Sequence, residues 1–338
     1  MKLQSKLLFV LFLLPCLTLA QLVKKDNTAN RNYFTQEGKM RIAIAIQVQI
    51  PSTSGGKLAV DGPHIMANGG IQDILNEMGA IVRVSNAELT SREKTEYGAW
   101  RKMGYANGHL AENVMQNEVD GFFTIGFLAT CPSSLGMLGG LQQSLTSTDV
   151  SSVGILWLDA HADYNTPETT RSGSMGGMPL AIANGLALHQ IRRDSKLDPP
   201  LPNNHIVTAG LRDVDPLEQF LLDKARIQNI SVEDIRNLTK NLFNQMDALS
   251  AVSDKIYVHI DLDILDASEV PFHNYPTENG PTSFELAAMF KEIFTKYPKA
   301  AAIGFASIPA KDPDQIALKA VNRMVVGAIE GIRTREGK

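Results

Sequence analysis

From about residue 39 onward, short apolar runs alternate with longer amphipathic stretches. Arg41–Ile50, Ala80–Val84, Gly121–Leu128, Val153–Leu158, His205–Ala209, Asn229–Val232, Lys255–Ile260 and Ala300–Ala306 read as strands. Several are apolar without interruption, the pattern of strands covered on both faces. Between them, Pro63–Met78, Arg92–Glu118, Ser133–Gln143, Met178–Leu188, Pro216–Ala225, Val232–Leu249, Ser283–Lys296 and Asp314–Ile332 carry helical patterning. Pro63 and Pro216 suit first-turn positions, where a missing N–H costs nothing. Eight strand–helix alternations predict an α/β fold with a mainly parallel sheet. No repeat, low-complexity tract or linker interrupts residues 39–335, so a single domain is expected there.

The first 38 residues follow a different pattern. Residues 1–20 carry Lys2 and Lys6, an apolar run from Leu7 to Leu14, and small residues at Thr18 and Ala20. This is the layout of a cleaved signal peptide, because the run is shorter than the about 20 apolar residues a spanning helix needs. Polar residues 21–38 read as a loose leader. The expected location is secreted or periplasmic, with no membrane attachment after cleavage.

Composition narrows the function classes. The chain has 338 residues, 44% of them hydrophobic and 20% charged, which suits a sizeable core rather than disorder. A net charge of −4 lacks the basic excess of a nucleic-acid binder. The two cysteines, Cys16 and Cys131, exclude a disulfide scaffold, and Cys16 leaves with the signal peptide.

Candidate chemistry sits where two apolar strands end. Gly154–Leu158 runs into Asp159, His161 and Asp163, and Ile256–Ile260 runs into Asp261 and Asp263. In an extended segment, alternate residues point the same way and their side chains converge. Either cluster alone would pass for a solvated loop or for turn-forming aspartates. Together, at the ligand-binding end of one parallel sheet, the four aspartates would repel one another unless a cation lay between them. Carboxylate and imidazole donors suit Mn²⁺ or a similar divalent ion, and two such ions would activate water as a nucleophile.

These residues carry a family resemblance. DAHADYNTPETTRSG, Asp159 to Gly173, resembles the DAHxDxNTPxTTxSG signature of arginases, within the ureohydrolase family. HIDLDILDA, His259 to Ala267, is similar to the family's second metal motif, and GLRDVDPLE, Gly210 to Glu218, to its substrate-amine segment. KLAVDGPHIMANGGI resembles its GxxxGP helix entry, with Leu58 at the first glycine. The resemblance implies a three-layer α/β/α fold around an eight-stranded, mostly parallel sheet. It implies that Asp159 and Asp261 bridge two divalent ions, manganese in the family, that Asp163 completes one shell, and that His161 and Asp263 complete the other. Asp163 would also act catalytically, accepting a hydrogen bond from a hydroxide held between the ions. That hydroxide would attack a guanidinium carbon, taking arginine to ornithine and urea. Asn165 and Ser172 would bind the substrate's α-carboxylate, and Asp213 and Asp215 its α-ammonium. Relatives are commonly trimers or hexamers.

Three departures qualify the picture. Cys131 stands where the family has its first metal histidine; a thiolate there would favour Zn, Fe, Ni or Co, and a buried core cysteine is the alternative. Gly176 stands at the family's proton-shuttling histidine, which leaves His259, on the face of Asp261, as the candidate catalytic substitute. Gly304–Pro309 lacks the acid that grips the guanidinium, so Glu278 or Asp312 must reach in or the substrate must differ. His64, His109, His189, His205 and His273 read as ordinary surface or core residues. Two functions follow: a metal-dependent hydrolase of a small amidino compound, arginine or a formimidoylglutamate- or guanidino-acid-like molecule, or a binding protein of the same fold with little turnover.

Overall fold

The computed structural model describes residues 32–48, 50, 61–145 and 152–338. The expected signal peptide, most of the leader and Leu58 lie outside the described residues. All eight expected strands form: β1 Arg41–Gln47, β2 Ile81–Asn86, β3 Phe123–Leu128, β4 Val153–Leu158, β5 Ile206–Ala209, β6 Gln228–Ile230, β7 Lys255–Asp261 and β8 Ala300–Ala306. They make one sheet in the order β2-β1-β3-β8-β7-β4-β5-β6, and every pairing is parallel. Helices cover both faces, as a parallel sheet requires.

The two-residue period of the strands divides the core. Leu156, Leu158, Val258 and Ile260 face one layer, built on helices Ser283–Lys296 and Ile316–Arg335. Ile155, Trp157 and Tyr257 face the other, built on helices Ala99–Val119 and Ser134–Gln143. No helix among the described residues is long and apolar enough to cross a membrane.

Several helices are shorter than their patterning predicts. The stretch expected as Pro63–Met78 breaks into Gly62–Asn68 and Ile71–Glu77, where Gly70 takes a φ of 86°. Val232–Leu249 breaks into Val232–Asn237 and Lys240–Val252 around Leu238, whose φ is 47°. Amphipathic periodicity continues through both breaks because both halves bury the same face, so pattern alone does not reveal them. A short helix, His189–Asp194, was not expected.

Candidate metal centre

The functional side chains hang from the carboxyl ends of the four central strands, β3, β8, β7 and β4, where a parallel sheet opens a crevice. A cavity of about 330 Å³ lies there. Asp159 follows β4 directly, and its Oδ1 accepts the N–H of His161 (2.7 Å) while Oδ2 accepts the Trp157 indole N–H (3.2 Å). Both oxygens are thereby oriented from beneath. Asp261 ends β7, and its Oδ1 accepts the N–H of Asp263 (3.0 Å). Asp263 Oδ1 in turn accepts the N–H of Ala160, tying the two strand ends together (3.2 Å).

Asp159, His161 and Asp163 converge, but not along an extended strand. The chain leaves β4 after Leu158, and Asp163 takes a left-handed φ of 50° that turns its carboxylate back over the strand end. Aspartate is among the residues that adopt this conformation most readily.

Cys131 joins the cluster from the loop after β3. Its Sγ–H donates to Asp261 Oδ2 at 2.7 Å, and its residue is 4% exposed. A buried polar relay holds the loop: Gln47 donates to Asn107 (2.8 Å), whose amide donates to the Pro132 carbonyl (2.9 Å). The thiol is therefore buried and within the carboxylate cluster simultaneously. Cys131, Asp159 and Asp163 offer ligand atoms within 4.8 Å of one another, and so do Asp159, His161 and Asp263. Asp159 belongs to both groups, which is the arrangement of a bridging carboxylate.

The donor set fits divalent metal. Asp159, Asp163, Asp261 and Asp263 are all more than nine-tenths buried, and no lysine or arginine is among the described residues lining the cavity. Burial, reinforced by the neighbouring carboxylates, pushes Asp159 and Asp261 above the usual carboxylate range. Burial also raises Asp163, against the pull of His161. Burial opposes charge on His161, yet hydrogen bonds to Asp159 and Asp263 outweigh it and push the imidazole up to about 12. His161 Nδ1 lies 3.1 Å from Asp263 and 3.4 Å from Asp159. One imidazole cannot neutralise four buried carboxylates; two divalent cations can.

The substrate-binding residues expected from the sequence also line the cavity: Asn165, Ser172, Asp213 and Asp215. Asp215 caps helix Pro216–Ala225, and Asn165 Nδ2 donates to it at 3.4 Å. Asp213 lies 3.7 Å from His161 Nε2 with its side chain 74% exposed, at the rim. Glu218 accepts the N–H groups of Tyr164 (2.7 Å) and Asp215 (3.2 Å), locking the two rim loops together.

Other expectations are corrected. His259 is fully buried, stacked on Trp157 with ring centroids 4.1 Å apart, and its Nδ1 pairs with the Tyr257 hydroxyl (3.0 Å). It shares the face of Asp261 as predicted, but two residues back along a strand places it beneath the cavity, which it does not line. Burial alone holds its imidazole down to about 3. Glu278 is exposed, and Asp312 accepts the Ile316 and Leu318 N–H groups at the start of the last helix; neither lines the cavity.

One residue read as ordinary proves central. His273 is 6% exposed and lines the cavity, with Nε2 3.8 Å from Asp261 Oδ1. The signal was its position in the segment after a strand's carboxyl end, where binding residues concentrate. Its spacing from the aspartate motifs follows no ligand pattern.

A parallel α/β/α sheet with paired carboxylate–histidine groups at its central strand ends defines a metal-binding enzyme fold. Comparison gives the family. The Arginase family model matches residues 133–328, and the chain belongs to that family. Human mitochondrial arginase-2 is 32% identical over 199 residues, which are 57% of this chain and 55% of that protein. The chain thus aligns with about half the length of such curated relatives. Arginase from Bacillus subtilis is 27% identical over 225 residues, 65% of this chain and 74% of that one. Its crystal structure superposes with a TM-score of 0.74 at 21% identity, covering 86% of this chain and 98% of that one. A formimidoylglutamase from the same organism superposes at 0.67 and 16% identity, covering 89% of each. Arginase-family proteins are metal-dependent hydrolases with a dinuclear site, usually of manganese.

Proposed function

We propose that this chain is a metal-dependent hydrolase that cleaves a C–N bond at a trigonal carbon of a small molecule bearing an α-ammonium end. The observation that carries this reading is the convergence of Asp159, His161, Asp163, Asp261 and Asp263 on one cavity floor beneath a rim of Asn165, Ser172, Asp213 and Asp215. Asp159 and Asp261 would bridge two divalent ions, Asp163 with Cys131 would complete one shell, and His161 with Asp263 the other. When bound, such ions lower the pKa of water and polarise the trigonal carbon.

The chain's own residues do the rest. Asp213 and Asp215 hold the ammonium end, and Asn165 and Ser172 donate to a carboxylate beside it. The Asp163 carboxylate, which lines the cavity, accepts a proton from the attacking water. Arginine, the substrate expected from the resemblance, satisfies the rim. The floor offers its guanidinium no separate acid, so the reading includes other trigonal C–N groups. We also infer export from the pattern of residues 1–20, to be tested by cell fractionation and N-terminal sequencing of the recovered protein.

The test is metal analysis of the purified chain alongside release of urea or ammonia from arginine and its neutral analogues with Mn²⁺, Ni²⁺ or Co²⁺. Metal bound with turnover is expected. Less than one ion per chain, with no product under any metal, overturns the proposal and leaves a binding protein of the same fold.

A further inference from the structure

One wall of the cavity is chemically unlike the others. It is built from the loops after β3, β7 and β8 by Thr130, His273, Asn274 and Ser307, whereas the rim acids follow β5 across the sheet. Ser307, with a left-handed φ of 65°, directs its hydroxyl to Asp261 Oδ2 (2.6 Å) and its carbonyl to His273 Nε2 (2.9 Å). His273 Nδ1 lies 3.3 Å from the backbone N–H of Tyr275. A backbone N–H only donates, so Nδ1 is the acceptor and the proton of the neutral ring sits on Nε2. The Nε2–H is therefore donated to the Ser307 carbonyl, and His273 offers the floor no free lone pair. Although it groups with Asp261 and Asp263, it is not a metal ligand in this arrangement.

Two further polar atoms on this wall lack partners. Thr130 Oγ1 and Asn274 Nδ2 are buried without a hydrogen bond, in residues that line the cavity. Thr130 is 6% exposed. With the Ser307 hydroxyl and the His273 N–H already engaged, the unpaired polar atoms of the wall are a hydroxyl and an amide, and none of its four residues carries a carboxylate.

The placement of charge then decides what this wall accepts. Two divalent ions would be balanced by the four floor aspartates, and the remaining acids, Asp213, Asp215 and Glu218, stand across the cavity at the ammonium end. A guanidinium pressed against this wall would be a desolvated cation with no carboxylate beside it. A neutral group with an acceptor oxygen would instead satisfy Thr130 and Asn274.

We propose that this wall selects an uncharged carbonyl-bearing group, a carboxamide or ureido group, over a protonated guanidinium. The inference rests on the proposed C–N hydrolysis at this floor. For a carboxamide, the water oxygen bonds to the carbonyl carbon, the C–N bond breaks, and the nitrogen leaves with its electron pair. The nitrogen takes both protons of the attacking water, giving a carboxylate and an ammonium or alkylammonium ion.

The experiment is calorimetric binding of L-arginine and L-citrulline, its neutral isostere, to the metal-supplemented full chain, with metal content measured on the same samples. Citrulline should bind at least about tenfold more tightly. Ser307→Glu should reverse the order by supplying the missing acid. Thr130→Val, which keeps the shape of the side chain, should weaken citrulline about fivefold and leave arginine unchanged. Arginine binding equally or more tightly to metal-loaded wild type overturns the inference while leaving C–N hydrolysis standing. A metal-supplemented chain that takes up no metal and binds neither ligand overturns both.

Discussion

Replacing Arg212 by alanine removes a guanidinium that donates to four main-chain oxygens at once. Its acceptors are the carbonyls of Gly210 (2.9 Å), Asp263 (3.0 Å), Glu278 (3.1 Å) and Thr277 (3.3 Å). The side chain thus straps together the loop after β5, the second metal motif and the loop that begins after His273. A hydrogen bond to a charged donor contributes about 1.5–3 kcal/mol when well buried, and an orphaned carbonyl loses its partner altogether. Only part of this guanidinium is buried, and one side chain supplies all four bonds. The expected loss is therefore about 3–4 kcal/mol rather than the full sum. At about 2 °C per kcal/mol for a chain of this size, Tm should fall by about 6–8 °C. Thermal and urea unfolding followed by circular dichroism give the readout. Arg212→Lys should recover less than half, because an ammonium cannot span four acceptors arranged for a planar fork. Metal affinity should fall in parallel, since Asp263 loses its anchor. Stability within about 0.5 kcal/mol of wild type would refute the strap.

In chelated protein, Asp159, Asp163 and Asp261 have folded pKa values raised chiefly by burial. They retain protons that the unfolded chain releases near its ordinary carboxylate range of about 4, so stability should decline as pH rises from there through their folded values. His161, held up to about 12 once its hydrogen bonds outweigh burial, adds a loss of the same sign above about 6.5. Asp263, which burial would raise but His161 lowers to about 2, contributes the opposite sign only at acid pH and is constant between pH 5 and 8. Denaturant unfolding with EDTA should give lower stability at pH 8 than at pH 5, and Mn²⁺ should remove that difference; a chelated protein more stable at pH 8 contradicts the reasoning. Cys131→His should increase metal bound per chain and shift preference toward Mn²⁺, read by elemental analysis; an unchanged stoichiometry and preference would assign the thiol to the core alone. Asp213→Asn, at an exposed rim position, should raise KM about tenfold for ammonium-bearing substrates with little change in kcat, whereas an equal fall in kcat would remove it from ground-state binding.

The strands were legible because each is a short apolar run bounded by polar turns, and β4 and β8 match their predicted limits residue for residue. The helix breaks at Gly70 and Leu238 were not, since the same buried face continues across them. In the site, motif spacing was enough to place Asp159, His161, Asp163, Asp261 and Asp263 together. The convergence of Asp163 through a left-handed turn gave the expected result by an unexpected route. Whether His259 points into the cavity or under it depends on depth along β7, which alternation does not encode.

By itself the sequence determined the alternation of elements, the family and the two aspartate–histidine clusters of the candidate site, because these depend on local periodicity and on residues close together in the chain. Tertiary structure alone decided three matters: that Cys131 is buried against Asp261, that His259 lies below the cavity, and that His273, Asn274, Thr130 and Ser307 form one wall. Those four residues come from three separate loops after β3, β7 and β8. They meet because the sheet places β8 between β3 and β7, an order fixed by packing over the whole molecule and by no local signal.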